Sequence, residues 1–313
     1  MGAIAFLFGG PGLAESGMGR DLYNKNPLVR ESIDKADKTL TELGGVRPTK
    51  ACFAAAPDVV KRPSVAGPAV LAFAHGVVRA LKARRVSALS AAGLGWGELV
   101  ALAALGGMDY DAGLKLLYER GLQVEAAWAE KPWHALAVTG LAPEALQGRL
   151  AALPQAPTLA ALLAPDHFVL TGDEALLQKL HTALTAAGRG VKVTPVEPGW
   201  HWPQPALAGV NAATADAVQA LELEHLPMAI QGAYDELPLR NPRDWPAHLR
   251  THGNRPLDWT AAIRRLKAQG MNTAIEIGHG SALGSALHKL DHDVRVLATE
   301  DNASFAQAVK LAN

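Results

Sequence analysis

Residues 86–98 read Val86-Ser87-Ala88-Leu89-Ser90-Ala91-Ala92-Gly93-Leu94-Gly95-Trp96-Gly97-Glu98. The first five form a short strand-like run, and a glycine-rich turn follows at 93–97. A small-residue helix is then expected to about residue 105, and another over roughly 111–128. Strand, tight turn and helix in this order make the unit on which α/β proteins carry their chemistry. Working outward, Ala3-Ile4-Ala5-Phe6-Leu7-Phe8 is apolar throughout and bounded by Gly9-Gly10-Pro11-Gly12. That is how a strand buried on both faces of a parallel sheet should look. A helix is expected from Gly67-Pro68 to Arg85, with Pro68 in its first turn.

After Pro132 the elements shorten. Strands are expected over 135–139, 159–163, 168–171 and 191–196, with helices over 143–153 and 174–187. The order β-α-β-β-α-β is the ferredoxin-like motif. A small domain over 130–196 is therefore expected between two halves, 1–129 and 197–313, of a large α/β domain. From Pro198 the pattern returns to long helices, then to a strand at 274–277 running into Gly278-His279-Gly280, a strand at 294–298 and a closing helix from about 304.

The chain has 313 residues, of which 49% are hydrophobic and 19% charged, and its 30 Lys and Arg balance 30 Asp and Glu. This balance gives no electrostatic footprint for nucleic acid or anionic lipid. The first eight residues lack a basic leader region, and no apolar stretch approaches the roughly 20 residues of a membrane span. A single cysteine, Cys52, excludes an internal disulfide. These features point to the cytoplasm, with Cys52 as a buried, inert thiol.

Several further motifs fall in order. Phe8-Gly9-Gly10-Pro11-Gly12 is followed by Gly17-Met18-Gly19-Arg20-Asp21-Leu22-Tyr23, then by the elbow Gly93-Leu94-Gly95-Trp96-Gly97-Glu98 and by Glu119-Arg120-Gly121. Pro198-Gly199-Trp200-His201, Arg255-Pro256-Leu257-Asp258-Trp259 and Glu276-Ile277-Gly278 complete the series. Nearly end to end, the chain resembles the malonyl-CoA:acyl carrier protein transacylases and the acyltransferase domains of polyketide synthases. The resemblance implies an α/β-hydrolase-like large domain with a parallel sheet and an inserted ferredoxin-like domain. In that family an elbow serine attacks the acyl-CoA thioester, a histidine activates it, backbone N–H groups hold the oxyanion, and an arginine grips the malonate carboxylate.

Carried onto this sequence, the histidine is His201 and the arginine Arg120. The nucleophile position is Gly95, which has no side chain, although Gly93 and Gly97 keep the clearance such an elbow needs. Pro11 stands where the family's glutamine gives a backbone N–H to the oxyanion hole, and proline has none to give. Leu94 replaces the elbow histidine, Gly67 a glutamine, and Leu13-Ala14 a Ser-Gln pair. No other G-x-S-x-G occurs, since Ser281 lies between His279 and Leu283 at plus and minus two.

Two functions are open at this point. One is a non-catalytic homologue serving fatty acid or polyketide synthesis as a binding or regulatory component, with an acyl carrier protein, an active acyltransferase or a synthase as partner, and acyl-CoA as a ligand. The other is an acyl transferase or hydrolase that uses His201 as base and Arg120 as substrate clamp without a serine. His201 is either such a base or a packed remnant, and Arg120 either a carboxylate site or a structural ion pair. Trp96 and Trp200 either fill the vacated pocket or pack at its rim. Gly93-x-Gly95-x-Gly97 is not a dinucleotide loop, because Glu98 stands at the sixth position. His248 with His252, and His288 with His292, have the i,i+4 spacing of metal ligands, but the sequence offers no third ligand. Exposed histidines, no metal and no cofactor are expected.

Overall fold

The computed structural model describes residues 3–151, 153, 155–185, 190–196, 201–234, 238–252, 255–280 and 282–312. The chain opens with β1 (Ala3–Phe8) and passes through α1 (Arg20–Lys25), α2 (Pro27–Glu42), α3 (Pro48–Ala54), α4 (Pro57–Lys61) and α5 (Pro63–Ala83). It then forms β2 (Ser90–Gly93), α6 (Gly97–Ala104) and α7 (Tyr110–Glu130). Side-chain caps mark the starts of α2 and α7, among others: the Asn26 carboxamide oxygen accepts from Leu28 N at 3.1 Å, and an Asp109 carboxylate oxygen accepts from Ala112 N at 3.0 Å. Next come β3 (His134–Thr139), α8 (Pro143–Ala151), β4 (Thr158–Ala164), β5 (His167–Gly172), α9 (Glu174–Thr185) and β6 (Lys192–Pro195). The last third contains α10 (Ala208–Gln219), β7 (Ala229–Gln231), α11 (Trp245–Thr251), β8 (Leu257–Asp258), α12 (Trp259–Ala268), β9 (Met271–Ile277), α13 (Ala282–Leu290), β10 (Arg295–Leu297) and α14 (Asn302–Ala312).

The first sheet has the order β10-β9-β1-β2-β7, and every neighbouring pair is parallel. Its central strand shows why the opening run lacks polar residues. Phe6 and Phe8 point into one apolar core and Ala5 and Leu7 into another, because alternate strand residues face opposite sides and both sides are covered. The second sheet begins as β6-β3-β5-β4, antiparallel throughout, which is the ferredoxin-like order. One face packs Leu136, Val138, Phe168 and Leu170 against Leu146, Leu177, Leu180 and Leu184 of α8 and α9. The other carries Ala135, Ala160, Ala161 and Val169, whose small side chains let it sit close to Leu257, Trp259 and Ile263. β8 joins this sheet parallel to β4, so a strand from the last third of the chain completes it.

Three expectations need correction. β2 begins four residues later than the strand-like run, at Ser90, because its pairing with β1 starts at Ala5↔Ser90, and Leu89 just before it is 69% exposed. The long helix starts at Pro63, so Pro68 lies inside it. That helix is also long and apolar enough to cross a membrane by length and composition, contrary to the reading that no stretch approaches this, but 83% of its most apolar window is buried inside the protein. It is a core helix, covered by α2 and α7. β7 was not anticipated at all.

Helices α5 and α7 meet so closely that a Cβ at Gly121 would lie 2.3 Å from Ser64 N and 2.4 Å from Ser64 Cα. Backbone cannot yield there as a side chain can. Gly121→Ala is expected to destabilise the fold by about 1–3 kcal/mol or more, read as a lower urea midpoint at unchanged slope.

Candidate functional site

The glycine-flanked turn between β2 and α6 is a strand-to-helix elbow. A Cβ at Gly93 would fall 2.2 Å from Glu98 N, and one at Gly97 2.3 Å from Phe8 O, so both positions demand glycine on contact alone. Gly95, at the tip, has φ +56°, a left-handed conformation that side chains rarely adopt. Its Cβ direction is comparatively open, meeting only Leu257 Cδ1 at 3.2 Å and the Tyr234 hydroxyl at 4.0 Å. The elbow therefore has the geometry that thrusts a residue into a cleft, and the residue there has no side chain.

Gly95 lines a cavity of about 90 Å³ together with Pro11, Leu94, Trp96, His201, Tyr234 and Leu257. The structure thus brings Pro11, Gly95, Trp96 and His201 together around one cavity. His201 packs over Gly12, whose Cβ position is 3.3 Å from the His201 Cβ. Burial lowers its pKa to about 4; a hydrogen bond with the Lys61 backbone opposes this, and the Arg120 and Lys61 charges reinforce it.

Arg120 does not line the cavity. Its guanidinium carbon lies 3.4 Å from the centre of the Trp96 ring, and only 7% of the residue is exposed. Among the described residues no acidic group pairs with it, its Nε has no hydrogen-bond partner, and burial pulls its pKa down to about 9, leaving it cationic at neutral pH. Among the described residues Arg120 is thus a cation stacked on an indole. Trp96 lines the cavity and carries this charge stacked on its ring.

Behind the elbow lies a group the sequence reading missed. His248 and His252 are buried, 4% and 1% exposed, rather than solvent-facing. Both direct Nε2 at the fully buried Glu98, the residue one position into α6: His252 Nε2 is 3.0 Å from Glu98 Oε2, and His248 contacts the same oxygen. The other oxygen, Oε1, accepts from Ala233 N at 2.8 Å. Burial pushes the Glu98 carboxyl up, but the two histidines outweigh it and hold the group well below the ordinary range. The available signals were the i,i+4 histidine pair and Glu98 itself, a carboxylate amid an apolar helix. The exposed pair His288 and His292 behaves as expected, with ring centres 4.6 Å apart.

The acyl transferase domain family model matches residues 5–289. The chain belongs to that family. It is 23% identical to the malonyl CoA-acyl carrier protein transacylase of Bacillus subtilis, over 99% of this chain and 97% of that protein. The malonyl-CoA:acyl carrier protein transacylase from Xanthomonas oryzae pv. oryzae superposes with a TM-score of 0.91 at 22% identity, covering 99% of this chain and 98% of the other. A malonyl-transacylase solved in complex with its type II polyketide synthase acyl-carrier protein gives 0.90 at 20% identity, with 99% of both chains covered. These structural likenesses establish a shared α/β fold with a parallel sheet.

Other family motifs prove structural in this acyl transferase domain. Glu276 is buried and caps α13, its two oxygens accepting from Leu283 N at 3.1 Å and Gly284 N at 2.8 Å. Asp258 caps α12 by accepting from Ala261 N at 2.8 Å. Cys52 is buried, and burial pushes its thiol up to about 12, so it is inert as expected. Trp200 and Ser281 lie outside the described residues.

His201 and His75, the latter stacked on Tyr110 and also lowered to about 4 chiefly by burial, are both easier to protonate in the unfolded chain. Their folded pKa values lie below the unfolded one, so the stability they contribute is complete above about pH 6.5 and is lost as pH falls toward 4. Urea titrations across that window are expected to show declining stability, with a shallower decline in the His75→Gln/His201→Gln double variant.

Proposed function

We propose that this chain is an acyl transferase domain that forms no seryl ester and serves fatty acid or polyketide synthesis as a binding or regulatory component, with an acyl carrier protein or an active acyltransferase as its partner. The observation that carries this reading is the elbow tip: Gly95 has the left-handed backbone of a displayed nucleophile and nothing to display. Removal of the nucleophile from a serine-histidine site costs on the order of a millionfold in rate. Pro11 lines the same cavity and has no N–H to offer an oxyanion, which by itself costs roughly a hundredfold to a thousandfold. The cavity, about 90 Å³, is also far below the roughly 300–1,000 Å³ of a typical ligand pocket.

A serine-free hydrolase gains little support. A base with a pKa near 4 has small driving force to take a proton from water, and the arginine that would hold the substrate is covered by Trp96. In this reading residues 1–129 and 197–313 form the large domain, 130–196 the small one, and the partner meets the outer surface. Calorimetric titration with holo-acyl carrier protein and, separately, with an active transacylase from the same cell tests it. Saturable binding of at least one is expected, and absence of binding to both contradicts it.

A further inference from the structure

The buried triangle of Glu98, His248 and His252 has more convergence than hydrogen bonding can use. His252 Nε2 is 3.0 Å from Glu98 Oε2 and 3.1 Å from His248 Nε2, while His248 Nε2 contacts that same carboxylate oxygen. A neutral imidazole nitrogen carries either one proton or one lone pair, and an ionised carboxylate only accepts. If both nitrogens donate to the oxygen, two N–H groups are set against each other at 3.1 Å; if either is unprotonated, its lone pair faces a carboxylate. One cation shared by the three atoms removes the conflict, since each then presents a lone pair. A point about 1 Å out of the plane of a triangle with sides of about 3 Å lies about 2 Å from every corner, which is the Zn–N and Zn–O distance.

We propose that Glu98, His248 and His252 form a binding site for a divalent transition-metal ion of the zinc class, clasping the start of α6 to α11 directly behind the elbow. Two imidazoles and one carboxylate suit zinc, cobalt or nickel, whereas magnesium and calcium take oxygen donors. The side chains come from two distant parts of the chain, and the Ala233 N–H fixes the free carboxylate oxygen, as an outer-shell partner does for a ligand. The ring of His252 is held between Trp96 and Tyr234, with centre separations of 4.8 Å and 4.2 Å. Its Nδ1 has no hydrogen-bond partner, so the affinity is expected to lie about tenfold to a hundredfold below that of a site whose histidines are all braced. The site is independent of any acyl chemistry, and its test does not depend on a carrier protein.

Metal content of the full chain, purified without chelator, is measured by elemental analysis, and the metal-free protein is titrated with Zn(II) in competition with a chromogenic chelator. One zinc per chain and a higher thermal midpoint are expected. Both are lost in His252→Gln and kept in His288→Ala/His292→Ala, which removes the exposed pair. Should His252→Gln fail to fold, cobalt substitution of the wild type decides, since Co(II) on two imidazoles gives intense visible bands that aqueous cobalt lacks. Failure of the wild type to compete for zinc, or zinc retained at full stoichiometry in folded His252→Gln, overturns the proposal.

Discussion

Gly95→Ser is expected to leave malonyl transfer at least a hundredfold to a thousandfold below that of an active family member, even though it places a hydroxyl at the elbow. The substitution itself is feasible. The new Cβ meets Leu257 Cδ1 at 3.2 Å, a flexible side-chain tip that yields by a few tenths of an ångström, and the Tyr234 hydroxyl at an ordinary 4.0 Å, and the positive φ strains it as it strains any elbow residue. What remains missing is the surroundings. Pro11 cannot donate to an oxyanion, and His201 is a weak base, lowered to about 4, so it is poorly matched to a serine proton at neutral pH. Steady-state transfer to holo-carrier protein measures the outcome. Turnover within about tenfold of an active transacylase would show that neither deficit matters.

Opening the cavity should reveal a charge that is already present. Arg120 is buried, without an acidic partner among the described residues, and stacked on Trp96. Wild type is therefore expected to bind neither malonyl-CoA nor acetyl-CoA detectably. In Trp96→Ala the guanidinium faces the enlarged cavity, and malonyl-CoA is expected to bind about tenfold to a hundredfold more tightly than acetyl-CoA, the scale of one charge-assisted contact. Adding Arg120→Ala removes the preference. Loss of a buried indole costs stability, so Trp96→Leu, which keeps apolar bulk, provides a second variant if the first is poorly folded. Equal binding of the two thioesters by a folded Trp96 variant would contradict the placement of Arg120.

How much of this was legible in the sequence depends on distance along the chain. The elbow, β1 and the ferredoxin-like order could be read because contiguous runs and glycine spacing encode them. The start of β2 could not, since pairing with β1 decides it and leaves Leu89 outside. Pro68 misled because proline suits a first turn, and Pro63, five residues earlier, already occupies that place. The largest omission was Glu98 with His248 and His252. Their i,i+4 pair was visible, but the third member stands 150 residues away from His248, and only the fold, which brings the Glu98 carboxylate to both imidazoles, makes them one site. Similarly, Arg120 and Trp96 were each named, yet nothing in their spacing said that one would cover the other.

The central claim is that no acyl group is carried on this chain. Wild-type protein incubated with radiolabelled malonyl-CoA and holo-acyl carrier protein, then quenched and resolved by intact-protein mass spectrometry alongside label counting, addresses it directly. The expected result is unmodified protein and carrier labelling no faster than without the protein. A malonyl ester on the chain, or label passing to the carrier above that background rate, would contradict the account.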